Sequence, residues 1–359
     1  MNIKNKLEKL ASEKNAPCVS ISLNTHRTHP ENSQDVILLK NLLKVAAERV
    51  IAEFGKRDVA PLLENIETIP NDIDINYNLD SLHIFLSNDT KEVIKSAWPA
   101  NKNEVHISET FALRPVIKDI NRSEEYLILL LSQNSVHLYT VLNDGITSEV
   151  INDEFPFSEI SSYLSHSSKS RDIHHVDNII QEFLNKVDKA IVKVHYETNL
   201  SCVVISSEQN FSVLLKVADK PKIYLGHAPV DNHNIGHSHI AKQGWDVVKV
   251  LQQNRRIDAV NEIKEAVSKG HVLTDLQEIY RASTEGRGEL LAVSNDFEQP
   301  VLMTSDKTFE LVSDVTKPKV IDDITSNIAW EVLSKKGRVV FIDKDLLNGF
   351  GKIVLKTRY

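Results

Sequence analysis

Apolar residues along this chain recur at two spacings, every second residue or every third to fourth, and the two alternate from segment to segment. Val19, Ile21 and Leu23 step by two through residues 18–23, the pattern of a strand. A short polar helix is predicted before it, over residues 3–14, and Thr25-His26-Arg27-Thr28-His29-Pro30 turns the chain after it. Over residues 31–54, Val36, Leu39, Leu43, Ala46, Val50 and Phe54 fall three or four apart, which predicts a long helix with one buried face. Residues 82–86 and 93–98 return to strand character.

The continuous apolar run at 126–132 suits a central strand, and the alternating 136–141 suits its hairpin partner. Asp144-Gly145 makes a second turn before residues 147–151. After a polar stretch over 157–175, Val176, Ile179, Ile180, Phe183, Leu184, Val187, Ala190, Ile191 and Val194 hold helical spacing. A buried strand (202–205), a short helix (211–217), a short strand (222–225) and a linker-like Pro229-Val230-Asp231-Asn232-His233-Asn234 follow. The last third reads as helices over 240–268, 273–284 and 321–333, strands over 290–293, 339–342 and 353–355, and a polar, irregular 304–319. Boundaries near 120 and 235 give an α/β chain of three domains: 1–120, 121–235 and 236–359.

Composition changes this picture little. The chain has 359 residues, 41% apolar and 26% charged, enough of both for buried cores and a solvated surface. No apolar run approaches a membrane span, and the N-terminus is charged rather than a signal peptide, so a cytoplasmic protein without a membrane partner is expected. Cys18 and Cys202, each inside an apolar run, read as small buried hydrophobes in a reducing compartment. Charge says more. The net −8 is concentrated: residues 58–92 hold eight acids and one base, whereas residues 331–359 hold seven bases and three acids. Lys335, Lys336, Arg338, Lys352 and Arg358 in that basic tail are candidate contacts for a polyanion.

Candidate chemistry is sparse. His233, His237 and His239 lie close to Asp231, a donor set that suits zinc, yet no Cys pair or His-x-x-x-His step accompanies them. Gly236 gives the segment the character of a joint, so no metal is expected and these three histidines are weak candidates. Phosphate-loop and Gly-x-Ser-x-Gly motifs are absent, and Gly349-Phe350-Gly351 reads as a turn between strands. Neither a cofactor nor a catalytic residue is expected, and nothing points to an enzyme. The stretch 157–175 carries His166, Ser168, Lys169, Arg171, His174 and His175 between a strand and a helix. So polar a segment cannot bury itself and is expected to project or to stay disordered. Lys169 and Arg171 suit phosphates, and the hydroxyls and imidazoles suit RNA sugars and bases. The plain alternative is a surface loop without a ligand.

Ser20-Ile21-Ser22-Leu23-Asn24-Thr25-His26-Arg27, then Gln34-Asp35 and Leu38-Leu39-Lys40-Asn41-Leu42-Leu43, resembles the opening of the bacterial archaeo-eukaryotic release-factor-like proteins. Leu113-Arg114-Pro115, Leu129-Leu130-Leu131-Ser132 and Val136-His137-Leu138-Tyr139 resemble the entry to their middle domain. Residues 279–287, 290–293, 337–342 and 356–359 are similar to their C-terminal domain. The resemblance implies three α/β domains, the middle one a ribonuclease-H-like mixed sheet and the last an α/β/α, kink-turn-binding, ribosomal-protein-like fold. It implies the ribosome and its RNA as a partner, with a translation GTPase as a second. Release factors carry a Gly-Gly-Gln loop in the middle domain, where it enters the peptidyl-transferase centre and helps water attack the ester. The equivalent place here is 157–175, and no two glycines are adjacent anywhere in the chain. Ester hydrolysis there needs the glycine pair for close backbone approach and the glutamine to place water.

Three functions follow as expectations. The first is a ribosome-associated factor for hibernation, rescue or stress protection, whose loop approaches or occupies the peptidyl-transferase centre as loops do in the related Balon-type and Pelota-type factors. The second is a hydrolase of a peptidyl-tRNA ester or of RNA. The third is an adaptor that recruits a protein through the acidic 58–92 surface.

Overall fold

The computed structural model describes residues 3–13, 16–132, 135–157, 173–231, 236–313 and 320–359. Its first part holds α1 (Ile3–Ser12), β1 (Cys18–Asn24), α2 (Ser33–Phe54), α3 (Ala60–Thr68), β2 (Ser81–Leu86), β3 (Lys91–Ser96), β4 (Glu104–Ser108) and α4 (Arg114–Arg122). The middle holds β5 (Glu125–Leu131), β6 (Val136–Leu142), β7 (Gly145–Glu149), α5 (Ile173–Thr198), β8 (Cys202–Ser206), α6 (Glu208–Val217) and β9 (Tyr224–Pro229). The last part holds α7 (His237–Val267), β10 (Val272–Leu273), α8 (Leu276–Thr284), β11 (Gly288–Ser294), β12 (Val301–Ser305), β13 (Thr308–Leu311), β14 (Val320–Ile321), α9 (Ile324–Ser334), β15 (Arg338–Ile342) and β16 (Ile353–Thr357). The architecture is mixed α/β with several sheets. Two compact units emerge, one made of Met1–Arg122 with Arg256–Tyr359 and the other of Ser123–Arg255.

In the first unit, β1 lies inside an antiparallel sheet ordered β3-β2-β1-β4. Val19, Ile21 and Leu23 share a cluster with Leu39, Leu43, Ala46 and Val50 of α2 and with Leu62 and Ile66 of α3, so the helical stripe meets the strand face as its spacing predicts. The intervening Ser20 and Ser22 are buried too. Their hydroxyls are occupied instead of solvated: Ala112 N–H donates to Ser20 Oγ at 2.9 Å, and Ser22 Oγ lies 3.0 Å from His83 Nδ1.

The C-terminal sheet, β10-β16-β11-β15, is antiparallel except between β11 and β15. Leu290 and Ala292 of β11 share a cluster with Ala259, Val260 and Ile263 of α7, whereas Leu291 and Val293 share one with Ile279 of α8 and Ile328 and Val332 of α9. Helices cover both faces, which is why this strand is apolar at every position from Leu290 to Val293. The result is the expected α/β/α stack. The α8–α9 side of that core also contains Leu7 and Leu10 of α1, Phe85 of β2, and Val116 and Ile117 of α4. The two ends of the chain therefore close one core between them.

The second unit is built on β7-β6-β5-β8-β9, antiparallel from β7 to β5 and parallel from β5 to β9. By order of appearance this is the ribonuclease-H-like arrangement. Leu127, Leu129 and Leu131 pack in a cluster with Phe183, Leu184, Val187 and Ile191 of α5. The first half of α7 comes so near β5 that a Cβ on Gly244 would sit 2.4 Å from Ile128 Cδ1 and 3.1 Å from the Tyr126 hydroxyl. Glycine is needed there for the close approach. Because α7 serves this sheet, the unit runs to Arg255, past the expected boundary at 235, and Arg255 Nη1 donates to Glu124 Oε2 at 2.9 Å.

Several local expectations differ from the structure. Residues 304–319 were expected to be irregular, but Val301–Ser305 and Thr308–Leu311 pair as a hairpin; Val301 and Phe309 are buried while the other face is solvated, leaving too few apolar positions to mark a strand. Residues 314–319 lie outside the described residues. The helix expected from 321 starts at Ile324, where the Asp323 carboxylate accepts from Thr325 N–H at 3.0 Å, and Val320–Ile321 pairs as a strand instead. The spacing also misses α3, β4 and α4, each shorter than ten residues. No described helix is long and apolar enough to cross a membrane.

If the first half of α7 completes the second unit, a fragment spanning 123–255 unfolds cooperatively in urea, whereas one spanning 121–235 exposes the Tyr126–Ile128 face and binds a hydrophobic dye. Equal stability of the two fragments would contradict this division.

Candidate functional sites

The segment expected to carry function is anchored at its start. Phe157 N–H donates to Val136 O at 3.1 Å, and the Phe157 ring stands edge to face against Phe155 at 5.1 Å and Phe183 at 5.9 Å. His166, Ser168, Lys169 and Arg171 lie outside the described residues. His174 and His175 fall in the first turn of α5, described for the backbone alone.

Of the basic tail residues, three are engaged within the unit. Lys335 Nζ donates to Ser283 O at 3.2 Å and Thr284 O at 2.7 Å, closing the end of α8, and pairs with Glu331. Arg338 Nη2 lies 2.6 Å from both Glu262 oxygens, and Arg358 Nη2 donates to Lys335 O at 2.5 Å. Lys336 is exposed with φ 64°, and Lys352 is exposed with its ammonium 5.4 Å from the Phe297 ring centre. Arg338 and Arg358 are exposed as well, so their partners hold them at the surface.

His233 lies outside the described residues. His237 packs edge to face on Tyr139, and His239 Nε2 is 3.9 Å from Asp231 Oδ2. Among the described residues no group of three or more His, Cys, Asp or Glu is arranged to hold a metal ion. Both cysteines are buried; burial, with the Glu13 charge added at Cys18, pushes each thiol up to about 12, which leaves them protonated and unreactive.

The Asn24–Arg27 turn and Gln34-Asp35, nine residues apart, come together in the structure. Asp35, buried in the first turn of α2, accepts from His26 N–H and lies against His26 Nδ1, both at 2.8 Å. Thr25 Oγ1 donates to Leu79 O at 2.8 Å, and Arg27 grips Asp80 through Nε at 2.7 Å and Nη2 at 2.9 Å. The His26 ring is half-exposed at an open hollow of about 400 Å³ bordered by Gln34, Ile37, Leu38 and Asn41. An imidazole held at Nδ1 by a carboxylate keeps Nε2 as the proton acceptor, the arrangement of a general base. The acidic stretch is partly neutralised: Asp80 is held by Arg27, Asp72 by Lys91 at 2.6 Å, and Glu92 by Lys6.

A second polar site lies in the first unit where α4 meets β1, β4 and the start of α9. Lys102 bridges Glu104 at 2.8 Å and Glu298 at 2.5 Å; His106 sits between Glu104 (3.1 Å) and Asp322 (3.5 Å). Burial opposes the charge on His106, but hydrogen bonds and charges from Asp322 and Glu104 outweigh it and raise its pKa to about 10. Burial lowers His83 to about 4 and raises Asp119 to about 7, and the two lie 3.7 Å apart. Sequence reasoning passed over this site because Glu298, Asp322 and Asp323 are some two hundred residues from Lys102, Glu104 and Arg114. The one local signal was Arg114, Lys118 and Arg122 at four-residue steps.

Residues 125–287 match the model of bacterial archaeo-eukaryotic release factor family 3, so the resemblance stated on sequence motifs holds over this stretch. No curated protein matches the chain. Among solved structures, the chain is similar to an archaeal translation termination factor, aRF1 (11% identity, 99% of this chain and 97% of that one, TM-score 0.24). It is also similar to archaeal Pelota in a ribosome-bound model with ABCE1 (14%, 78% and 72%, 0.42) and to Dom34 of S. cerevisiae, described as interacting with Hbs1 (10%, 78% and 74%, 0.35). Likeness at these values carries no weight for function.

The polar site has a pH signature. His106 has a folded pKa near 10 against about 6.5 unfolded, so its contribution is complete below about 6.5 and is lost as pH rises through about 10. His106→Gln therefore lowers stability at neutral pH by about 3 kcal/mol, and the gap from the parent narrows as pH approaches 10. Urea melts at a series of pH values check this; a gap independent of pH would refute the charged histidine.

Proposed function

We propose that this release-factor-like chain is a ribosome-associated translation factor that occupies the ribosome without cutting the nascent chain, in hibernation, rescue or stress protection. The family match over 125–287 carries the reading, because it spans the segment where release factors hold their Gly-Gly-Gln loop. Here that segment contains His166, Ser168, Lys169, Arg171, His174 and His175, and the chain has no adjacent glycines. Side chains at every position prevent the close backbone approach that glycines allow. Cations, hydroxyls and imidazoles instead suit contacts with rRNA phosphates, sugars and bases near the peptidyl-transferase centre. Lys336 and Lys352 are the tail residues best placed to add phosphate contacts, since both are exposed without a carboxylate partner among the described ion pairs. Cytoplasmic location and a translation GTPase as partner belong to the same proposal.

A hydrolase remains the second reading, favoured by one observation, the His26–Asp35 pair at an open hollow. It predicts turnover of an RNA or ester substrate that His26→Ala abolishes without loss of ribosome binding.

Co-sedimentation with ribosomes over a salt series tests the main reading. Binding weakens steeply with salt, and Lys169→Ala with Arg171→Ala reduces the log–log slope by about 1.5. Absence from ribosomal fractions of both growing and starved cells would overturn it.

A further inference from the structure

Arg114, Lys118 and Arg122 stand four residues apart on one face of α4 and line one cleft. Arg114 is 4% exposed and Lys118 7%, so both cations are held out of water. They converge on the same acceptor: Asn295 O takes a hydrogen bond from Arg114 Nη2 at 2.9 Å and from Lys118 Nζ at 3.4 Å. Arg114 Nη2 also donates to Ser294 O at 3.0 Å, and Lys118 Nζ to Asn101 Oδ1 at 2.8 Å. Every one of these acceptors is neutral. Two like charges sharing a neutral oxygen repel, and more strongly in a buried site than in water.

The carboxylates around the cleft offset this charge only in part, through the Glu298 and Asp323 ion pairs with Arg114, and leave its hydrogen-bonding demand unmet. Glu104 and Glu298 are bridged by Lys102, and Glu104 is further held by His106. Asp323 accepts from Thr325 N–H at 3.0 Å and from the Thr325 hydroxyl at 2.7 Å. The carboxylate oxygens facing Arg114 Nη1 lie 3.6 Å away on Glu298 and 3.8 Å away on Asp323, beyond hydrogen-bond reach. Arg114 Nε and Nη1 are buried without an acceptor, and so is Asp119 Oδ2 without a donor. Asp119 faces His83, which is neutral at ordinary pH, and it is itself close to half-protonated near neutrality. Burial and the charges of Arg256 and Arg114 lower the Arg122 pKa to about 10, as crowded cations require.

We infer that this cleft binds a small tetrahedral oxyanion, phosphate or the phosphate end of a nucleotide, between Arg114 and Lys118. The anion supplies the hydrogen-bond acceptor that Arg114 Nε and Nη1 lack, and adds countercharge for Lys118, whose own acceptors are neutral. The free space in the cleft, about 40 Å³, takes a few waters or one such group, and any nucleoside attached to it lies outside.

Calorimetric titration of the full chain with inorganic phosphate, sulfate and a nucleoside monophosphate tests this, with chloride holding ionic strength constant. Saturable one-site binding is expected, weakened about tenfold or more in Lys118→Met and kept in Lys118→Arg. Tighter binding of the nucleotide than of phosphate assigns the site to nucleotides, and the reverse assigns it to the free anion. Sulfate keeps its charge across neutral pH, so its affinity falls as Asp119 ionises, and Asp119→Asn removes that fall. No saturable binding of any of the three, or Lys118→Met binding as well as the parent, would overturn the inference.

Discussion

A buried guanidinium must be hydrogen-bonded or countercharged, and Arg114 meets this demand with backbone oxygens of the last third of the chain. Its Nη2 reaches Ser294 O and Asn295 O at the end of β11, while its own N–H donates to Ser326 Oγ in α9 at 3.1 Å. Two residues on, Val116 and Ile117 enter the apolar core that α8 and α9 share with α1. One short helix therefore ties the start of the chain to its end by both polar and apolar means. Burying each such aliphatic side chain contributes about 1.5–3 kcal/mol, so the apolar contacts set the stability while the arginine sets the register. The polar cleft follows from the same helix, because the face that carries Arg114 also carries Lys118 and Arg122.

Much of the α/β order was legible along the chain. β1, α2, β5, α5 and β11 declare themselves because each buries a whole face, and a buried face leaves its period in the sequence. The α/β/α stack and the mixed middle sheet agree with what the family resemblance implied. Short elements were not legible. α4 has only nine residues, and its buried side includes Arg114, Lys118 and Asp119, which a hydrophobic pattern reads as surface. The shared core was hidden for another reason: it gathers Ile117 with Ile328 and Val332, some two hundred residues apart, and leaves no local trace. The His26–Asp35 pair was visible only as two motif fragments, and the fold explains their spacing as a turn followed by the first turn of α2.

Charge also takes a different meaning in the fold. The acidic stretch 58–92 gives part of its charge to Arg27, Lys91 and Lys6, which weakens the view of it as a free recruiting surface. The basic tail likewise commits Lys335, Arg338 and Arg358 to partners within the unit, although Arg338 and Arg358 stay exposed, while Lys336 and Lys352 are exposed without a carboxylate partner among the described ion pairs. An overall net charge of −8 thus coexists with discrete cationic positions, and the proposed contact with rRNA would rest on the 157–175 segment more than on bulk charge.

The central claim is that a polar, glycine-free segment takes the place of a hydrolytic loop. A cryo-electron-microscopy map of this chain on ribosomes from starved cells tests it most directly. The account predicts density for residues 158–172 in the peptidyl-transferase centre, with Lys169 and Arg171 against rRNA phosphates. A chain bound with that segment facing solvent or another part of the ribosome would contradict it.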